Sequence, residues 1–270
     1  MRILLNEREC EIADGAPLDA VRARVAPGAD VLIVNGAVVD GAHQLHDGDH
    51  VVLITRGVQP STQELDALMA ARHTPGVHAV MKRSCVGIAG LGGLGSTVAI
   101  ALARMGVGRL MLVDFDLVEP SNLNRQQYFV DQVGQPKAHA LAATLARVNP
   151  CVRCEAHVAR VTPDSLAALF SGADVLIEAF DRADQKAMLA THWPRLYPDV
   201  PLVMASGVAG TGPATTIGVR QCGRALYIVG DMESAAQPGR GLMAPRVGIA
   251  AHMQAALAVR LLLGDMQPPL

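Results

Sequence analysis

The glycine-rich segment Gly90-Leu-Gly92-Gly93-Leu-Gly95 has the composition and spacing of a phosphate-binding turn. It follows an apolar stretch that predicts a strand and precedes an alanine-rich stretch that predicts a helix. Glycine lets the backbone approach a phosphate closely, and a helix N-terminus offers unpaired N–H groups with a partial positive charge. We therefore predict a nucleotide site at Gly90, Gly92, Gly93 and Gly95. Alone, this pattern fits NAD, FAD, SAM and ATP equally.

A dense polar block follows the next predicted strand and narrows the choice of nucleotide. Asp114 ends that strand, where a carboxylate can accept the hydroxyl groups of a ribose. A dehydrogenase has no reason to place Asn, Arg and Gln together after this residue. A triphosphate does, because arginine presents a planar fork of donors to phosphate oxygens. The block therefore favours ATP, and its candidate ligands are Asp116, Asn122, Arg125 and Gln126.

Two further candidate site residues lie beyond the polar block. Lys137 stands at the start of a predicted helix, after a Gly-Gln-Pro turn. Asp181 follows the predicted strand over residues 175–178, at its carboxyl end. Ligands of open α/β sheets bind at the carboxyl ends of parallel strands. Lys137 and Asp181 are thus expected to face the same nucleotide as the glycine-rich turn.

The elements that must position these residues alternate between strands and helices from about residue 80 to the end. This alternation predicts an α/β domain, residues 80–270, with a Rossmann-like, mostly parallel sheet and helices on both faces. Residues 1–57 read as strand, strand, helix, strand, strand, with turn signals at Asn35-Gly36 and Asp47-Gly48. That order is the order of a small β-grasp, ubiquitin-like domain. Residues 58–79 are predicted to be a linker with one helix.

The combination of motifs resembles the ThiF and MoeB family of ubiquitin-activating-type adenylyltransferases. The resemblance spans roughly residues 80–220, and its most specific parts are the glycine-rich turn and Asn122-Leu-Asn-Arg-Gln126. The N-terminal segment resembles the ThiS and MoaD sulfur carriers, including its Leu45-His-Asp-Gly-Asp49 turn. Together with the tail after Gly241, the chain looks most like bacterial ThiF with a fused ThiS-like module.

The resemblance implies a role for each candidate residue. Asp114 and the glycine-rich turn would hold the adenosine part of ATP, with Asp116 beside them. Arg125 and Lys137 would contact the phosphates, supported by Asn122 and Gln126. Asp181 would bind Mg²⁺, directly or through water. Arg125, Lys137 and Asp181 would thus be the catalytic set, and ATP and Mg²⁺ the cofactors.

The resemblance also implies the reaction and the partners. The enzyme would adenylate the C-terminal glycine carboxylate of a small ThiS-like sulfur carrier and release pyrophosphate, in thiamine thiazole synthesis. A homodimer is implied as well. We expect a separate carrier to be the substrate, because the fused module runs on past Gly57 without a Gly-Gly pair or a free carboxylate.

Several residues are expected to lie outside this chemistry. Many relatives bind zinc through two late Cys-x-x-Cys pairs, but only Cys222 lies beyond residue 200, so no zinc is expected. Cys222 lies between two arginines, and a covalent carrier intermediate on it stays in doubt. Arg72 lies where relatives carry an arginine that reaches the ATP of the other subunit. Its short distance in sequence from the glycine-rich turn argues against that role here.

Two more patterns that resemble metal sites are interpreted as structural or solvated. Cys151-Val-Arg-Cys154 has metal-like spacing but no second pair. The histidines at positions 43, 46 and 50 lie in a predicted polar hairpin. We expect neither pattern to bind a metal.

Composition excludes several classes of function. The 270 residues are 50% hydrophobic and 18% charged with a net charge of −2, which fits a folded protein without a field for nucleic acid or a membrane surface. Five cysteines at irregular spacing do not form a disulfide framework and fit a reducing cytoplasm. The charged N-terminus is unlike a signal peptide. The apolar stretch 247–263 is broken by polar residues, so an amphipathic helix on the fold is expected.

Three alternatives stay open at this point. An NAD-dependent oxidoreductase would explain the glycine-rich turn but neither the polar block nor Asp181. A second alternative is a related enzyme that adenylates a modified tRNA base or a small peptide. The absence of a basic stripe argues against tRNA as the substrate. A non-catalytic scaffold that binds carriers would leave Arg125, Lys137 and Asp181 without a purpose.

Overall fold

The computed structural model describes residues 1–265, apart from the side chains of Thr62 and Gln63. The last five residues of the predicted domain 80–270 therefore lie outside the described part. The chain divides into two compact units, Met1–Ala79 and Val80–Leu270. Each unit is treated by itself below.

Unit 1 contains a five-stranded sheet with the strand order β2-β1-β5-β3-β4. Its first and last long strands, β1 and β5, run parallel in the centre, and hairpins add the outer strands. One face packs on α1 around Leu18, Val21 and Leu45, which are almost completely buried. This arrangement confirms the predicted β-grasp domain. The elements are β1 (Arg2–Leu5), β2 (Arg8–Glu11), α1 (Leu18–Val25), β3 (Val31–Val34), β4 (Ala37–Val38) and β5 (His50–Ile54).

The other face of this sheet is covered by helix α2 (Thr62–Ala70) and the residue that follows it. Ile33 and Val52 point from the sheet to Leu68 and Ala71. A capping box formed by Ser61 and Glu64 starts the helix. The segment predicted to be a linker is thus part of the packed unit 1. A short helix α3 (Val77–Arg83) then contains the boundary between the units.

Unit 2 is built around a seven-stranded sheet with the order β11-β12-β10-β9-β6-β7-β8. All neighbouring strands are parallel except β11, which pairs antiparallel with β12 at one edge. The elements are β6 (Cys85–Ala89), α4 (Gly93–Arg104), β7 (Arg109–Val113), α5 (Lys137–Val148), β8 (Arg153–His157), α6 (Leu166–Phe170), β9 (Val175–Glu178), α7 (Ala183–Leu196), β10 (Leu202–Ala205), β11 (Gly218–Gln221), β12 (Leu226–Gly230) and α8 (Ala244–Leu263).

The strand order of unit 2 reverses direction between β6 and β9. From β6 the chain proceeds outward through β7 to β8, and from β9 it proceeds the opposite way through β10 to β12. Such a reversal leaves a crevice at the carboxyl ends of the two central strands, where ligands of doubly wound sheets bind. The predicted α/β fold with a mostly parallel sheet is confirmed. The antiparallel β11 was not anticipated, since its Gly-Val-Arg-Gln sequence is short and exposed.

Helix α8 is long and apolar enough, by length and composition alone, to cross a membrane. It packs against α4 instead, with Val247, Ala250 and Ala251 buried. Gln254 is fully buried on it and donates to the carbonyl oxygens of Glu178 and Val203. These contacts make α8 a core helix of unit 2, as its polar interruptions predict.

Candidate active site

A cleft of about 520 Å³ opens at the carboxyl ends of the strands of unit 2. It lies at the reversal point between β6 and β9 and is lined from both sides of it. The predicted residues that line the cleft are Gly90, Gly92, Gly93, Asp114, Asp116, Arg125, Gln126, Lys137 and Asp181. Residues widely separated in sequence thus converge on one space.

The glycine-rich turn is shaped by close backbone contacts. Gly90 has a φ of +90° and passes so near the carbonyl group of Ala179 that a side chain would meet it at 2.9 Å. Gly95 lies inside α4, and a Cβ there would overlap the carbonyl oxygen of Gly90. Gly95 therefore allows close packing rather than lining the cleft. Gly92 is the N-cap of α4 and leaves the helix N-terminus open toward the cleft.

Asp114 fastens this turn to the end of β7. Its carboxylate accepts the N–H of Leu91 at 2.7 Å and the N–H of Asp116 at 2.8 Å. Burial raises the pKa of the Asp114 carboxyl, while the two N–H donors and Lys137 oppose that rise. Each oxygen accepts one protein donor, which leaves lone pairs for the hydroxyl groups of a ribose.

Tyr128 supports the same turn from the polar block and was not singled out from the sequence. Its hydroxyl donates to the carbonyl oxygen of Leu91 at 2.8 Å. Burial raises the pKa of this phenol, so it stays a neutral donor. Gln127 adds a second tie, because its N–H donates to the hydroxyl of Ser96 on α4.

Lys137 and Asp116 form an ion pair at the edge of the cleft, with 3.0 Å between Nζ and Oδ2. Lys137 has only 8% of its side chain exposed, whereas Asp116 has 49%. The pair begins helix α5, since the N–H of Lys137 also donates to the carbonyl oxygen of Asp116. A nearly buried cation held by one exposed partner can exchange that partner for a phosphate oxygen without moving far.

Arg125 lies beside the N-terminus of α4, where it packs against Gly93. Its Nη1 donates to the carbonyl oxygen of Ser121 and to Oδ1 of Asn124, both neutral acceptors. Within the described part of the chain, Arg125 forms no ion pair with a carboxylate within 4 Å. Arg125 therefore presents an unneutralised guanidinium to the cleft.

The two amides predicted to assist Arg125 differ in position. Gln126 lines the cleft, is 8% exposed, and has a buried Oε1 without a hydrogen-bond donor in the described part of the chain. Asn122 does not line the cleft, because its Oδ1 caps the preceding turn by accepting the N–H of Glu119. Its carbonyl oxygen accepts the N–H groups of Arg125 and Gln126. The structure places Asn122 behind these residues rather than against a nucleotide.

Asp181 is exposed on the loop after β9, across the cleft from the glycine-rich turn. Three residues earlier, Glu178 ends β9 and is completely buried. Its carboxylate binds the ammonium group of Lys186 at 2.8 and 3.0 Å. Neither member of this pair was predicted, although an acidic residue at the end of Val-Leu-Ile-Glu was the available signal.

A second cavity, of about 640 Å³, lies in the loops that follow β10 and β12. Ala209 and Ser234 line both this cavity and the cleft, so the two spaces are adjacent. Arg246 holds its walls together by donating to the carbonyl oxygens of Gly212 and Pro213 and to the carboxylate of Asp231. No pattern of hydrophobic residues in the sequence predicted this cavity. Its lining includes Gly210, Thr211, Gly212, Gly239, Arg240 and Gly241.

The side wall of the cleft carries a cation–π contact. The guanidinium of Arg160 lies 4.1 Å from the ring centroid of Phe115. Phe115 is 47% exposed and directly follows Asp114. A flat, partly exposed aromatic ring beside the carboxylate of Asp114 suits contact with a nucleoside base.

Cys151, Cys154 and Cys222 do not line this cleft, and the histidines at positions 43, 46 and 50 belong to unit 1. None of the five cysteines, all within the described residues, forms a disulfide, and burial raises the pKa of the Cys154 thiol to about 11. Cys222 lies in the turn between β11 and β12, at the amino end of β12. The cleft lies at the opposite, carboxyl ends of the strands. Within residues 1–265, no group of three or more His, Cys, Asp or Glu converges on one point.

The fold and the cleft define a class: a nucleotide-binding α/β enzyme with a ubiquitin-like unit before it. Residues 67–270 match the model of the ThiF family, and residues 1–57 match the ThiS-like ubiquitin model. The chain therefore belongs to the ThiF family, as its motifs predict.

Curated relatives and solved structures agree with this assignment. A molybdopterin-synthase adenylyltransferase of Salmonella typhimurium is 33% identical over 192 residues, which cover 70% of this chain and 76% of the relative. A sulfur carrier protein adenylyltransferase of Thermus thermophilus is 40% identical over 102 residues, covering 37% of this chain and 38% of the relative. The expected enzyme class, an adenylyltransferase, is confirmed by these relatives.

Among solved structures, tRNA N6-threonylcarbamoyladenosine dehydratase of Escherichia coli in complex with ATP has a TM-score of 0.67. It is 24% identical and is covered to 98% of its length by 77% of this chain. At this identity the likeness establishes the shared fold.

Proposed function

We propose that the protein uses ATP to adenylate the C-terminal glycine carboxylate of a small, separate sulfur-carrier protein and releases pyrophosphate. The observation that carries this proposal is the convergence of Arg125, Lys137 and Asp181 on one cleft beside an open helix N-terminus. Cations and a helix N-terminus on one side suit a triphosphate, and a nicotinamide cofactor gives them no comparable use.

The described residues fit ATP with Mg²⁺. Of the carboxylates that line the cleft, Asp114 holds the glycine-rich turn, Asp116 pairs with Lys137, and Asp181 remains exposed. One carboxylate together with phosphate oxygens is the usual setting of Mg²⁺, which keeps much of its own water. Bound Mg²⁺ would supply charge neutralisation on the phosphates. The unpaired Oε1 of Gln126 offers a buried acceptor inside the same space.

The proposed chemistry is an in-line displacement at the α-phosphorus of ATP. A carboxylate oxygen of the carrier forms a bond to this phosphorus while the bond to the bridging oxygen breaks, and pyrophosphate leaves with the electron pair. No proton needs to be removed from the ionised carboxylate, so positioning and charge neutralisation matter more than a base. Arg125 and Lys137 would stabilise charge on the phosphates, and Asp181 would hold the metal ion.

The glycine-rich second cavity supports a polypeptide tail as the second substrate. It lies next to the cleft, and several of its lining residues are glycines. A space lined by glycine backbone can accommodate an extended Gly-Gly terminus. The ThiS-like unit in the same chain supports a carrier of that class, and we assign the pathway to thiamine thiazole synthesis.

We also propose that the protein forms a homodimer and is located in the cytoplasm. Unit 2 exposes apolar side chains on the segment around the polar block, which fits a surface that pairs with a second copy. Five cysteines without a disulfide among the described residues fit a reducing compartment. The exposed apolar residues are Leu117, Phe129, Val130 and Val133.

ATP–pyrophosphate exchange with purified carriers tests the proposal. Exchange should require a carrier with an intact C-terminal glycine and should be faster with a ThiS-type than with a MoaD-type carrier. A carrier that lacks its last glycine is the matched control, and calorimetric titration with ATP and NAD tests nucleotide choice. Tight NAD binding without ATP binding would favour an oxidoreductase, and exchange that depends on tRNA would favour the dehydratase-like alternative. A protein that binds ATP but never exchanges pyrophosphate would be a scaffold.

A further inference from the structure

The ion pair of Glu178 and Lys186 is the most completely buried charged contact beside the cleft. Glu178 has no exposed surface, and Lys186 has 24% of its side chain exposed. The three N–H groups of the ammonium are all used, because Nζ donates to both carboxylate oxygens and to the carbonyl oxygen of Ala205 at 2.9 Å. Lys186 lines the cleft but has no donor left for a phosphate.

The same carboxylate controls the backbone that leads to Asp181. Oε1 of Glu178 accepts the N–H of Phe180 at 2.6 Å, and Oε2 accepts the N–H of Ala205 at 3.4 Å. The first contact bends the chain directly before Asp181. The second ties β9 to the end of β10, from which the loop between the two cavities departs.

We propose that Glu178 and Lys186 are a positioning pair that sets the location of Asp181 in the cleft. The pair does not touch the nucleotide; it acts through the backbone of residues 179–181. This inference rests on the proposed function for the role of Asp181, while the geometry of the pair is independent of it.

The surroundings of Glu178 make the pair sensitive to the loss of its cation. From α8 the facing residue is the neutral Gln254, and from β6 and β10 the neighbours are Ala89 and Ala205. Lys186, from α7, is the cation in contact with it in the described structure, whereas Asp181 and Arg182 are exposed on the loop. Burial raises the pKa of the Glu178 carboxyl, and Lys186 opposes that rise.

When the ammonium group of Lys186 is removed, no cation opposes the effect of burial on the pKa of Glu178. In Lys186→Met, Glu178 should therefore stay protonated at low pH, where its carbonyl oxygen can still accept the N–H of Phe180. As pH rises through its raised pKa, an unpaired buried charge forms, which destabilises the folded state. The stability of folded Lys186→Met is therefore highest at low pH, where Glu178 is neutral, and falls as the pH rises through the pKa of Glu178.

The test compares Lys186→Met, Lys186→Arg and the double variant Glu178→Gln/Lys186→Met with wild type between pH 6 and pH 9. Arg195→Met, which removes an exposed charge from the same helix, is the control. The rate of pyrophosphate exchange at saturating ATP, relative to wild type, should fall about tenfold to a hundredfold with rising pH in Lys186→Met, in line with a displaced catalytic group. It should stay independent of pH in the double variant and near wild type in Lys186→Arg.

A second readout does not depend on activity. The protection factor of the Phe180 amide, which compares its exchange rate with the intrinsic rate at the same pH, should fall with rising pH in Lys186→Met, but not in the double variant or in Arg195→Met. A loss in Lys186→Met that is the same at every pH, with unchanged protection of Phe180, would overturn the inference. If wild type itself exchanges no pyrophosphate, the proposed function fails, and the amide measurement still decides the role of the pair.

Discussion

Replacement of Arg246 by methionine tests how the walls of the second cavity are held. The guanidinium donates at 2.9 and 2.8 Å to the carbonyl oxygens of Gly212 and Pro213, and at 2.6 Å to Asp231. Only 5% of the Arg246 side chain and 15% of the Asp231 side chain are exposed. The variant removes the charge but keeps an unbranched apolar side chain of similar length.

The expected cost follows from the burial of both partners. Breaking a buried pair by removing one partner destabilises a protein by about 3–5 kcal/mol, because the other charge stays buried without compensation. For a unit of this size, each kcal/mol lowers the melting temperature by about 2–4 °C, which gives a fall of roughly 6–20 °C. The exposed pair of Arg224 and Asp199 provides the control, and Arg224→Met should leave stability almost unchanged.

Tryptophan fluorescence during urea unfolding is the appropriate assay. The chain has one tryptophan, Trp193, which is 1% exposed in the core of unit 2 and packs edge-on against Phe170. Its emission therefore reports the unfolding of unit 2 alone. A midpoint for Arg246→Met within experimental error of wild type, with an unchanged slope, would refute the reasoning.

The pair also has a defined pH dependence. Burial alone would raise the pKa of the Asp231 carboxyl, but N–H donors from Ser234 and Glu233 and the Arg246 guanidinium hold it well below its usual range. Its stabilising contribution is thus present above the ordinary aspartate pKa and is lost as pH falls toward the folded-state value. Asp231→Asn should flatten the acid limb of the stability profile between pH 5 and pH 2, and an equally steep limb would contradict this.

Further predictions concern the active site, the cysteine and the fused module. Arg125→Ala, Lys137→Ala and Asp181→Ala should each slow pyrophosphate exchange by ~10²-fold or more with the fold retained, by analogy with the loss of one preorganised contact; near-normal exchange removes that residue from the site. Cys222→Ser should exchange pyrophosphate at the wild-type rate, because Cys222 lies at the amino end of β12, opposite the strand ends that form the cleft; a large loss would show that Cys222 takes part in the adenylation step. Elemental analysis of tag-free protein should find no stoichiometric zinc, and one zinc per chain would contradict this. Intact mass after incubation with ATP alone should show no adenylated fragment that ends at Gly57.

The fold and much of the site follow from patterns within short segments of sequence. The apolar strands and the helix starts of unit 2 carry clear periodicity, so the position of the cleft at the strand ends was predictable. Arg125, Lys137 and Asp181 were predicted to face one nucleotide from their polar character, their places next to strand ends and the family resemblance, and all three line the cleft. Each of these signals is local in sequence.

The unpredicted features depend on contacts between distant segments. Lys186 in a helix looks like an ordinary exposed lysine until Glu178 is known to be buried beneath it. Arg246 equally resembles a surface charge at a helix start, and its partners lie 15 to 34 residues away. Asn122 was assigned to the nucleotide because capping and ligand binding use the same amide group. Such choices are decided by tertiary structure, which a single sequence does not display.

The helix α2 that covers the second face of the β-grasp sheet bears on how this protein arose. A gene fusion that joined a carrier module at residue 57 without this helix would leave Ile33 and Val52 uncovered, since Leu68 and Ala71 supply their packing. The module and helix α2 therefore form one packed unit, and a recombination event that separates them removes part of a hydrophobic core.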